Sequence, residues 1–122
     1  MNTTQTLMEA RWHKVCKIDD LVAESGVAVL IHPAIGSAQS VALFWLPELQ
    51  PEVYALAHLD PLSGVEVLAH GLLCESGGDW SVASPLYKHH YRLTDGVCLE
   101  QPGIKAQTWP VKLDGQEVCL FY

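Results

Sequence analysis

Residues 84–96, SPLYKHHYRLTDG, set His89 and His90 side by side between a proline and a turn. Imidazole is the commonest protein ligand for metals, so a histidine pair raises the question of a metal centre. Adjacent side chains of an extended segment point to opposite faces, and two neighbouring rings there do not readily close on one ion. A centre would need one of them together with His58, His70, Asp60 or Cys74, brought close by the fold. A small metal-dependent β-barrel enzyme using histidines is the function such a cluster would carry. Without one, Lys88 and Arg92 join the histidines in a basic, partly aromatic patch, or the stretch is simply a solvated loop.

The other groups able to do chemistry are sparse. Cys16, Cys74, Cys98 and Cys119 are widely spaced, with no C-x-x-C or C-x-H among them, and in a reducing compartment they are expected to be thiols. Cys119, in EVCLFY, reads as a small apolar filler. Cys74, in LLCESGG, is expected to be the most exposed, but nothing beside it would depress its pKa. No G-x-G-x-x-G follows a strand, and no carboxylate pair or nucleophile–base set stands out.

The elements that must position these residues repeat with period two rather than 3.6. Residues 12–18, 27–32, 40–46, 52–58 and 79–84 are short β-branched or aromatic runs separated by Gly, Pro, Asp or Ser, which is all-β spacing. In VKLDGQEVCLFY, Asp114-Gly115 joins two alternating runs and predicts a type I′ turn in a terminal hairpin over 109–122. IDDLVAESG, residues 18–26, predicts one helical turn, with Asp19 or Asp20 as cap and Gly26 as stop. Residues 1–11 carry no pattern and are expected to form a frayed extension ahead of one domain over 12–122.

Length and charge narrow the class. A chain of 122 residues with 49% hydrophobic composition fills one modest core. A net charge of −7 has the wrong sign for a surface that must replace counterions along nucleic acid. The start lacks an apolar core of signal-peptide length, and VAVLI and VALFWL are too short to cross a bilayer. The expectation is a soluble, cytoplasmic protein.

Residues 54–96 also have a familiar order: YALAHLDPLSG, then HGLL, then WSVASPLYKHHYRLTDG. This resembles the Rieske domain, whose loops read C-P-H and C-P-x-H-G-W-x-F-D-L-x-T-G, and the likeness extends over about residues 12–122. Asp60-Pro61-Leu62 stands at the first loop and Ser84-Pro85-Leu86-Tyr87 at the second, with Tyr91, Leu93 and Gly96 continuing the pattern. The resemblance implies an all-β Rieske-like sandwich or barrel with a short helical turn and a C-terminal hairpin.

A Rieske [2Fe–2S] cluster is held by Cys, His, Cys and His, whereas the matching positions here read Asp60, Leu62, Ser84 and Tyr87. Leucine cannot coordinate and none of the four supplies a thiolate, so no cluster and no metal are expected. Leu62 and the Tyr87 ring are expected to fill part of the vacated space.

Among Rieske-like proteins without these ligands, the chain resembles the small subunit of NAD(P)H nitrite reductase. WHKVCKIDDLVAESGV, WSVASPLYKH, YRLTDGVCLE and VKLDGQEV carry the likeness by their order and spacing. The resemblance implies a cytoplasmic accessory subunit paired with a large subunit that carries FAD, sirohaem and a [4Fe–4S] cluster and reduces nitrite to ammonium. No cysteine cluster for sirohaem is found on this chain. The two former cluster loops, residues 58–64 and 84–91, are then the expected docking surface, with His58, Asp60, Tyr87, Lys88, His89 and His90 as candidate partner-binding residues.

Overall fold

The computed structural model describes residues 10–122. Among them twelve strands follow in chain order: β1 (Trp12–Lys17), β2 (Ser25–Ile31), β3 (Gln39–Trp45), β4 (Val53–Ala57), β5 (Leu59–Asp60), β6 (Val65–Glu66), β7 (Leu72–Ser76), β8 (Asp79–Ala83), β9 (His90–Arg92), β10 (Thr108–Trp109), β11 (Val111–Asp114) and β12 (Glu117–Phe121). The only helical pieces among the described residues are two 3₁₀ turns, Ile18–Asp20 and Leu68–His70. The all-β expectation holds.

The strands form three layers. In the middle lies the antiparallel sheet β10-β4-β3-β2. One of its faces is covered by the sheet β1-β12-β11, around a core of Val41, Leu43, Val53, Ala55, Val118 and Leu120. Its other face packs Ala42, Phe44 and Leu56 against Val82 and Tyr91 of the sheet β7-β8-β9. Successive strand residues point to opposite faces, so Val41 to Phe44 alternate between the two cores and all four are buried. This is why SVALFWL reads as an unbroken apolar run rather than an alternating one.

Three local expectations are corrected. The helical turn is only Ile18–Asp20, and Asp20 secures it from its third position, accepting the Lys17 N–H at 2.9 Å, rather than from the cap. Gly26 does not stop a helix; it lies within β2, where a Cβ would stand 2.4 Å from the Ala69 carbonyl oxygen. The glycine is there because the second 3₁₀ turn comes down onto the strand. The terminal hairpin forms, but Asp114 pairs with Glu117, so the turn residues are Gly115 and Gln116. Only the first of them has positive φ, at +60°, the pattern of a type II′ rather than a type I′ turn.

Most of the expected N-terminal extension lies outside the described residues. At its end, Arg11 exchanges backbone hydrogen bonds with Tyr122, at 2.7 and 3.0 Å, so both ends of the described chain meet on one sheet.

Candidate functional site

The two proline-framed loops lie against each other beside the second core. In the first, β5 and β6 pair Asp60 with Val65, and the Gly64 N–H closes the turn on the Asp60 carbonyl at 2.8 Å. In the second, the Lys88 N–H donates to the Ser84 carbonyl at 2.9 Å and the Ser84 N–H to the His89 carbonyl at 2.8 Å. Lys88 takes the left-handed conformation, φ +58°, that this reversal requires.

Asp60 joins the loops. Its side chain is fully buried, as are those of Ser84 and Tyr91. The Ser84 hydroxyl donates to Asp60 Oδ2 at 2.6 Å, the Tyr91 hydroxyl to Oδ1 at 2.5 Å, and the Leu62 N–H to Oδ1 at 2.9 Å. Burial pushes the Asp60 carboxyl up, but the bonds from Ser84, Tyr91 and Leu62, with help from Ser63, outweigh it and hold the group below its usual range. Tyr91 is displaced the other way: burial, then the adjoining carboxylate, raises its phenol above the usual value. The result is a buried carboxylate whose oxygens are taken up by neutral hydrogen-bond donors from both loops.

His58 is buried next to this network, and its Nδ1 accepts the Ala69 N–H at 3.0 Å. The ring is therefore neutral and protonated on Nε2. Burial lowers its pKa, the nearby His70 ring lowers it further, and Glu66 opposes both. The two rings stand edge to face, 5.5 Å between centroids.

The expected site residues thus divide. Asp60, Ser84 and His58 come together, all three buried within the isolated chain rather than exposed on the loop surface. Leu62 is half-buried against the core. Tyr87 does not fill the space between the loops; it is 64% exposed. That space is taken by the Asp60 carboxylate, the Ser84 hydroxyl and Tyr91, whose role in the site was missed. Its signal was the alternation of His90, Tyr91 and Arg92, which turns a tyrosine into the core, where its hydroxyl needs a partner.

The histidine pair does not converge. His90 Nδ1 lies 2.7 Å from Glu100 Oε2, and the His90 backbone N–H donates to Glu100 Oε1 at 2.7 Å. His89 Nδ1 is enclosed without a hydrogen-bond partner. Arg92 leaves the basic patch to pair with Asp95 at 3.3 Å. Lys88 stays exposed beside Tyr87, with exposed Leu59, Val65 and Leu86 nearby on the two loops. Cys74 is half-buried, as is Cys16, whose thiol is pushed up to about 11 by burial and by Asp20 and Glu117. Among the described residues no group of three or more His, Cys, Asp or Glu side chains is placed to hold a metal ion.

This layered sheet with two loops joined at one end is the architecture of a Rieske-like domain. Residues 11–120 match the family model described as Rieske-like [2Fe-2S] domain, and the chain belongs to that family. Its kinship is narrower than the fold. The NADH nitrite reductase small subunit of Escherichia coli K12 is 40% identical over 91 residues, which cover 75% of this chain and 79% of that protein. The NMR structure of the E. coli protein NirD superposes with a TM-score of 0.79 at 33% identity, covering 93% of this chain and 97% of that one. The NAD(P)H nitrite reductase large subunit of Klebsiella oxytoca contains a stretch 36% identical over 107 residues, 88% of this chain but 10% of that protein. Within the Rieske-like proteins, the chain belongs with the nitrite reductase small subunits.

Proposed function

We propose that this chain is the accessory subunit of a cytoplasmic NAD(P)H-dependent nitrite reductase, that it docks on the large catalytic subunit through its two joined loops, and that it does so without an iron–sulfur cluster. FAD, sirohaem and the [4Fe–4S] cluster, which together reduce nitrite to ammonium, belong to the large subunit on this reading.

The carrying observation is the 2.6 Å hydrogen bond between Asp60 and Ser84. A Rieske centre needs two thiolates on one iron, and by the resemblance of the two proline-framed loops these two residues match the thiolate positions. Here they offer a carboxylate and a hydroxyl bonded to each other in place of soft thiolates, and Leu62 has no donor atom to offer the second iron. The residues do not fit the cluster. What the arrangement supplies instead is a fastened pair of loops presenting Tyr87, Leu86 and Lys88, a mixture suited to binding. A similar domain within the K. oxytoca large subunit supports a chain that works alongside that subunit.

The test has two parts. After anaerobic purification and reconstitution with iron and sulfide, the full chain should hold no stoichiometric iron and give no Rieske-type EPR signal; a stoichiometric cluster would overturn the cluster-free reading. Capture from its own cytoplasm should bring down the large subunit, and its absence would refute the docking role.

A further inference from the structure

The outer face of the β1-β12-β11 sheet, across the middle layer from the joined loops, has an unusual composition. Trp12 and Phe121 are cross-strand partners, 41% and 37% exposed, and meet edge to face with ring centroids 5.2 Å apart. From the third strand, Lys112 places its Nζ 4.6 Å from the Trp12 ring centroid. Two residues beyond Trp12 on the same face, Lys14 is 67% exposed and lies 3.6 Å from Glu117. Lys17 is exposed at the end of the strand. Three of the chain's seven lysines and arginines therefore stand on one sheet of a protein with net charge −7.

An exposed tryptophan–phenylalanine pair flanked by Lys112 and Lys14 is the composition of a binding hot spot, and although Asp114 and Glu117 share the face, its three lysines leave a positive balance that favours an acidic counterpart. The occupant follows from chain connectivity. In the K. oxytoca large subunit the related domain is continuous with a far longer chain, so an end of that domain leads directly into the rest of the large subunit. In the present fold both ends of the described chain lie beside this face, where Arg11 and Tyr122 pair next to Trp12 and Phe121. A tether leaving either end holds the face close to the large-subunit body, at an effective concentration that favours contact.

We propose that this aromatic and cationic face is a second contact surface, which takes an acidic, partly apolar patch of the large subunit. The proposal rests on the large subunit being the partner, but not on where the joined loops bind. Held at two separate surfaces, the chain would be clasped by its partner rather than perched on it.

The test compares the full-length K14E/K112E variant, Trp12→Ala and Tyr87→Ala for binding to the purified large subunit, with thermal unfolding to confirm that each is folded. The charge reversal should weaken binding at least tenfold at low salt and less at high salt, Trp12→Ala should weaken it at both, and the effects should compound with that of Tyr87→Ala. Wild-type affinity in folded K14E/K112E and Trp12→Ala, with Tyr87→Ala weakened, would overturn the second surface and leave the loops as the docking site. Weakening by the face variants alone would uphold this surface and remove the loops from the interface. A change in self-association of the isolated chain, with large-subunit affinity unaltered, would assign the face to a second copy and overturn the proposal.

Discussion

The Ser84 hydroxyl donates to the Asp60 carboxylate at 2.6 Å, linking residues 24 positions apart in the chain. With Tyr91 bonded to the other oxygen, one buried anion fixes the spacing of both loops. A surface held this way loses little further freedom when a partner binds.

Removing the anion should therefore cost more than removing one donor. Asp60→Ala leaves the Ser84 and Tyr91 hydroxyls buried without their acceptor and should cost about 3–5 kcal/mol, whereas Ser84→Ala should cost about 1.5–3 kcal/mol. Urea unfolding at pH 7 measures both; equal or negligible losses would show that the network does not hold the loops.

Acid should act through the same carboxyl. Its folded pKa lies below the usual 3.8, so the folded state binds fewer protons than the unfolded one between the two values. The stabilisation is complete above the unfolded value and drains as pH falls through the folded one. Asp60→Asn should be less stable than the natural chain at pH 7, and the gap should narrow as pH falls below 4 in denaturant titrations.

His58 contributes a second, milder window. Its pKa lies below the usual 6.5, because burial and His70 favour the neutral ring. Its contribution is whole above 6.5 and declines as pH falls through the lowered value. In His58→Asn, with Oδ1 replacing Nδ1 as acceptor for the Ala69 N–H, stability should vary less between pH 7 and pH 5 than in the natural chain.

At the loop surface, Tyr87→Ala should leave the melting temperature nearly unchanged, since the ring is mostly solvated. It should nevertheless weaken large-subunit binding by about 2 kcal/mol, or roughly thirtyfold. Calorimetry of the folded variant separates the two: a lowered melting temperature with intact affinity would make the ring structural.

Two glycines should respond differently to alanine. Gly96 has φ +77°, and a Cβ there would stand 2.0 Å from the Ala106 carbonyl oxygen. Gly77 also has positive φ, at +58°, but opens onto free space. Gly77→Ala should cost about 1 kcal/mol from backbone strain alone, and Gly96→Ala well over 2 kcal/mol, compared by thermal unfolding.

Most of the long strands were legible because their side chains alternate or run apolar over five or more residues; β7 was missed, since LLCES keeps neither pattern and is held by pairing with β8. The short strands were not: β5, β6, β9 and β10 hold two or three residues each and exist through their pairing partners, which local pattern does not encode. Asp114-Gly115 marked the final hairpin correctly but placed its turn one residue early, since a glycine serves either turn type. In the site, the two prolines located Asp60 and Ser84. They did not reveal that Tyr87 turns outward and Tyr91 inward, because the reversal at Lys88 resets the alternation between them.

Strand β3, buried on both of its faces, has a consequence for motion. The molecule is two cores sharing one wall, and either outer sheet can lift away while the other keeps that wall covered. Amide exchange should then fall into three tiers: the β1-β12-β11 layer and the β7-β8-β9 layer each opening on its own, and the Val41–Phe44 amides exchanging only when the whole chain unfolds. A partner gripping one outer layer would slow exchange in that layer and leave the other free to breathe.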